Sequence, residues 1–80
     1  MTTRTAADLL DLVIDRLQVK NDAGLARVLD LSAPAISRMR KGVLPVGPST
    51  LVRMHEATNL TIGELREAMG LPGRMYVKNS

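Results

Sequence analysis

The 80-residue chain contains no cysteine, no tryptophan and no phenylalanine, and a single tyrosine. Without cysteine there is neither a disulfide framework nor a thiolate zinc site, a composition that suits a reducing compartment. With Tyr76 as the sole aromatic residue, the chain lacks the several aromatic faces on which single-stranded nucleic acid stacks. No apolar run approaches the roughly 20 residues of a membrane-spanning helix. No basic segment leading into an apolar one opens the chain, so secretion is not expected and the expected location is cytoplasmic. There is no glycine-rich phosphate loop. His55 is the only histidine, and with no second histidine or cysteine to complete a metal set it reads as a surface or partly packed helix residue. No Ser/His/Asp grouping has the organisation of a nucleophile site, and so small a chain has little room for a cleft. No catalytic residues, metal or cofactor are expected, and the chain does not read as an enzyme.

Eighty residues make one small domain with a modest core, a size at which association with a second copy adds useful stability. The net charge of +3 is mild, but its distribution is uneven. Residues 1–37 carry four basic and five acidic side chains, net −1. Residues 38–53 carry Arg38, Arg40, Lys41 and Arg53 with no acid, net +4. Residues 54–80 carry three of each and balance. Basic residues gathered on one element are the electrostatic footprint of a phosphate-binding surface, although a solvated basic loop has the same composition.

Helical periodicity and capping residues divide the chain into short helices. Thr5 with Asp8 three residues on makes a capping box, and Leu10, Val13, Ile14 and Leu17 follow at helical spacing, so a helix is predicted over 6–18. Asp8, Asp11 and Asp15 fall on another side, toward solvent. Asn21 is a cap for a helix over 22–29, in which Leu25, Val28 and Leu29 form one apolar stripe. Asp30 stands where the chain must turn sharply, and Asp tolerates a left-handed backbone better than most residues. Ser32 caps a third helix over 33–41, Pro34 suits its first turn, and Gly42 ends it. Ile36 and Met39 point into a core. After a loop punctuated by Pro45 and Gly47, Pro48 opens a fourth helix that buries Leu51, Met54 and Thr58. Thr61 and Glu64 form a second capping box, for a helix over 62–69 ending at Gly70. No internal repeat, low-complexity tract or convincing strand is present. The predicted fold is all-α, with five helices in a domain over 1–70. A tail over 71–80 contains Met75-Tyr76-Val77, which reads as a dimerisation arm, as a tail folded on its own core or as a disordered terminus.

Residues 21–42 therefore read as a helix-turn-helix, an arrangement that can present its second helix to a DNA major groove. Leu25-Ala26, Ser32, Ile36-Ser37-Arg38-Met39 and Lys41-Gly42, followed by Leu51 and Thr61-Ile62-Gly63-Glu64-Leu65, place small, apolar and capping residues in a particular order and spacing. Over roughly residues 8–70 this pattern resembles the Cro/phage-repressor-like helix-turn-helix family. The resemblance implies sequence-specific binding to short double-stranded DNA operators, usually as a homodimer, with the third helix in the groove.

Helical geometry sorts the residues of that third helix. With Ile36 and Met39 inward, Pro34, Ser37, Arg38 and Lys41 face out, flanked by Ala33 and Arg40. Arg38 is the expected base reader, since a guanidinium donates two parallel bonds to guanine O6 and N7. Ser37 suits a base edge, a phosphate or simple solvation. Ala33 and Pro34 offer no polar atoms and suit a thymine methyl or close approach. Lys41, at the helix end, suits a phosphate. Arg40 suits a contact to the DNA backbone, or an ion pair with Asp11 or Asp15 of the first helix, the salt bridge that the family resemblance implies. Backbone amides near Asn21, at the start of the second helix, are natural phosphate binders. Two departures from the family pattern stand out. Asp22 replaces a phosphate-contacting glutamine and would repel DNA unless turned inward as a cap. Ala33 and Pro34 occupy positions that often carry polar readers, which shifts weight to Arg38 and DNA shape. These departures also motivate an alternative, a protein-interaction module on the same fold with a protein partner, such as an antitoxin or adaptor.

Overall fold

A computed structural model describes residues 4–71, which form five α-helices: α1 (Ala6–Leu17), α2 (Asp22–Leu29), α3 (Ala33–Arg40), α4 (Pro48–Thr58) and α5 (Ile62–Ala68). No strand occurs among the described residues. The fold is all-α, and every predicted helix is present. Arm residues Met75, Tyr76 and Val77 lie outside the described residues.

Side-chain caps account for most of the helix starts. The Asp8 carboxylate accepts from Thr5 N–H at 2.8 Å. Asn21 Oδ1 accepts from Gly24 N–H at 2.9 Å, and Ser32 Oγ accepts from Ala35 N–H at 3.2 Å. Pro48 sits in the first turn of α4, where a missing N–H costs nothing. Thr61 and Glu64 exchange both bonds of their box, at 2.8 and 3.0 Å. The Thr61 N–H bond holds the Glu64 carboxyl below its ordinary pKa.

The helix ends share a second regularity. A left-handed residue follows each helix in turn: Gln18, Asp30, Gly42, Asn59 and Gly70. An aliphatic residue comes directly after each of them: Val19, Leu31, Val43, Leu60 and Leu71. Four of the five ends close with the backbone pattern in which the amide beyond the left-handed residue reaches five residues back. Val19 N–H donates to Ile14 O, Leu31 to Ala26 O, Val43 to Arg38 O and Leu71 to Arg66 O. Helices α1, α3 and α5 stop at Leu17, Arg40 and Ala68, one residue short of the predicted ends: Gln18 is itself the left-handed residue, whereas Lys41 and Met69 are the caps that precede the left-handed Gly42 and Gly70.

The core collects Leu9, Leu10 and Val13 of α1, Leu25, Ala26 and Leu29 of α2, Ile36 and Met39 of α3, Leu51 and Met54 of α4, and Leu60 and Leu65. Thr58 is buried without an orphaned hydroxyl, since its Oγ1 donates to Met54 O at 2.7 Å and accepts from Leu60 N–H at 3.1 Å. One predicted core position is corrected. Val28 is 48% exposed, and Ala26 takes its place in the core. The core meets the arc of α2 formed by Leu25, Ala26 and Leu29 and leaves Val28 on its far edge, at a shallow groove beside Arg53, Glu56 and Ala57. Periodicity fixes the middle of such a stripe; the packing partners decide its edges.

Candidate nucleic-acid interface

α2 and α3 pack on one another across the turn at Asp30, whose backbone is left-handed with φ +57°. Ile36 and Met39 anchor α3 in the core. The opposite side of α3 presents Ala33, Pro34, Arg38 and Lys41 as exposed residues, with Ser37 half-buried beside them. Asn21 is exposed at the start of α2, with its side-chain oxygen used as the cap.

The basic residues of the segment 38–53 divide into two kinds. Arg40 is tied to the protein. Its Nε donates to Asp22 Oδ2 at 3.0 Å and its Nη2 to Asp22 Oδ1 at 2.7 Å, while Nη1 donates to Asp11 Oδ1 at 2.8 Å. Three of the five N–H donors of the guanidinium are thereby used. Of the two roles open for Arg40, the ion pair is formed, with Asp11 rather than Asp15 and with Asp22 in addition. The hydrogen bond from Arg40 lowers the Asp22 pKa, against a smaller opposing effect of desolvation. In return, the bonds to Asp22 and then Asp11 raise the pKa of Arg40.

Arg53 is also committed. From α4 its Nη1 donates to Leu29 O and to Asp30 O, each at 2.9 Å, and it lies 3.8 Å from Asp30 Oδ2. These are carbonyls at the end of α2 that lack intrahelical donors, and a cation there also suits the helix dipole. The run of four basic residues is therefore two structural clamps and two others. Arg38 and Lys41 make no side-chain hydrogen bond or ion pair among the described residues. Both project from the last turn of α3 and the residue that closes it.

Sequence reading placed Asp22 as a repulsive charge or a cap. The cap is Asn21 instead, and the Asp22 carboxylate turns inward to pair with Arg40. The Arg53 clamp was not anticipated, because its partners are backbone carbonyls that leave no mark on residue type. His55 is exposed on α4, with its Nδ1 at 2.7 Å from Leu60 O, an arrangement in which the ring donates to the carbonyl. No helix among the described residues is long and apolar enough to cross a membrane. No protein-family model, curated protein or solved structure matches the chain.

Proposed function

We propose that this chain is a sequence-specific double-stranded DNA-binding regulator of the Cro/phage-repressor-like kind, acting as a cytoplasmic homodimer that represses by occupying an operator. One observation carries the reading. On the exposed side of the second helix of a helix-turn-helix, Arg38 and Lys41 have no partner among the described residues, whereas Arg40 and Arg53 are consumed in holding the helices together. An unpaired guanidinium on that face matches the hydrogen-bonding edge of guanine in the major groove. Lys41 and the amides around Asn21 supply phosphate contacts on either side. Ser37 adds a short polar contact, and Ala33 and Pro34 let the start of α3 approach the bases closely. Arg40 serves as a positioning residue that holds α3 against α1 and α2. Two such helices about one turn of DNA apart would read a pseudo-palindrome.

Neutralisation of Asp22 removes one of the two motives for a protein-interaction module. The remaining one is the apolar start of α3. Binding of purified protein to genomic DNA fragments at two salt concentrations, with Arg38→Ala alongside, tests the proposal. Selective binding that weakens with salt and loses its sequence preference in Arg38→Ala is the expected result. Failure of both proteins to retain any fragment at low salt would overturn it in favour of the module.

A further inference from the structure

We propose that Val43 is an apolar DNA contact, meeting a thymine 5-methyl group or a deoxyribose face beside the phosphates reached by Lys41. The inference rests on the DNA-binding reading above and deepens it.

The argument begins with the five helix ends. In this kind of helix stop, the aliphatic residue beyond the left-handed position ordinarily packs back on the last turn. Val19 and Leu31 do so and lie against the core, and Leu60 is part of the core. Leu71 is 42% exposed at the edge of the described residues. Val43 departs furthest, at 72% exposed, and no other large hydrophobic residue among those described is as open to solvent. Its backbone nevertheless makes the full closing bond, with N–H to Arg38 O at 2.9 Å, and Gly42 donates to Met39 O at 3.1 Å. The loop is thus well fixed while its apolar side chain is left over. Stability does not explain a valine there.

Its neighbours indicate what does. The bond to Arg38 O fixes Val43 beside the last turn of α3, two residues beyond Lys41. Arg38 and Lys41, the two basic residues of segment 38–53 without a partner among the described residues, therefore sit at the same helix end as the most exposed aliphatic side chain described. Positive charge at the same helix end as an isopropyl group suits a DNA strand, whose anionic phosphates alternate with apolar sugar faces and, at thymine, a methyl group. An apolar protein surface would leave Arg38 and Lys41 desolvated without partners.

The test uses the full chain and a fragment that the wild type selects. Affinity is measured against salt for wild type, Val43→Ala and Lys41→Ala, and again with each thymine of the site replaced in turn by deoxyuridine, which lacks the methyl. Val43→Ala is expected to melt like wild type and to bind roughly three- to tenfold more weakly, the scale of one to two partly buried CH₂ groups, with the salt slope unchanged. Lys41→Ala is expected to flatten the slope by about 0.9. One deoxyuridine position that weakens wild type and leaves Val43→Ala unaffected identifies a thymine methyl as the contact. Weakening in Val43→Ala with every deoxyuridine neutral identifies the sugar. Wild-type affinity in Val43→Ala, a changed oligomeric state in that variant, or a large drop in its melting temperature overturns the inference while leaving the DNA-binding reading intact. A wild type that binds no fragment overturns that reading itself.

Discussion

Arg40 spans from the last turn of α3 to the first residue of α2, where both oxygens of Asp22 accept from its guanidinium at 3.0 and 2.7 Å. The pair fixes the end of the candidate recognition helix relative to the start of its partner. Both side chains are about two-thirds covered, at 31% and 33% exposed, whereas Asp11, the second acceptor, is 66% exposed. Coverage and two-pronged geometry favour the Asp22 bond over the Asp11 bond.

A double-mutant cycle should separate the two. Arg40→Ala is expected to destabilise the domain by about 1–2 kcal/mol, with a coupling to Asp22 near 1 kcal/mol and one to Asp11 of about 0.5 kcal/mol or less. Urea denaturation of the single and double variants gives both couplings. Equal couplings would show that the two-pronged geometry adds nothing.

The same bond makes stability depend on pH in a definite direction. Arg40 lowers the Asp22 pKa, so the unfolded chain binds the Asp22 proton more readily than the folded one. The stabilisation is complete above the ordinary carboxylate pKa of about 4 and is lost as pH falls through the lower folded value. Glu64, lowered by Thr61, acts in the same sense. Melting temperature measured from neutral pH down into the acid range should fall more steeply below about pH 4 in wild type than in Asp22→Asn.

Arg53 tests whether a basic residue beside the candidate interface is structural. Arg53→Met retains much of the aliphatic stem and removes the two bonds to Leu29 O and Asp30 O. The expected cost is about 1–2 kcal/mol in urea denaturation. The slope of DNA affinity against salt should be unchanged in this variant, in contrast to Lys41→Ala.

Gly42 and Gly70 occupy the same left-handed region, with φ of +79° and +85°, but in different surroundings. A Cβ at Gly42 meets nothing within 4 Å, whereas at Gly70 it would stand 2.6 Å from the Arg4 carbonyl oxygen. Gly42→Ala should therefore cost only the backbone penalty, about 1–2 kcal/mol. Gly70→Ala carries that penalty and must also displace the chain at Arg4, so its melting temperature should be the lower of the two.

Much of the architecture was legible in the residues themselves. Asn21, Ser32 and Thr61 cap the helices they were expected to cap, and Ile36, Met39, Leu51 and Met54 are buried as their spacing predicts. Caps and periodicity act within one or two turns of chain, and that locality is why sequence alone resolves them. The all-α class, the order of five helices and the left-handed turn at Asp30 are determined at this level.

Tertiary structure decided what depends on two elements meeting. Residue types alone make Arg38, Arg40, Lys41 and Arg53 one basic run. Packing splits it, because Arg40 finds carboxylates 29 and 18 residues away and Arg53 finds carbonyls 24 and 23 residues away. The same holds for Asp22, whose charge is read correctly only once its partner on α3 is known. Val28 and Val43 carry similar side chains to Leu29 and Leu31, yet the first pair is exposed and the second packs in or against the core. Hydrophobicity says that a side chain gains by burial; which surface arrives to bury it is settled by the arrangement of the other helices.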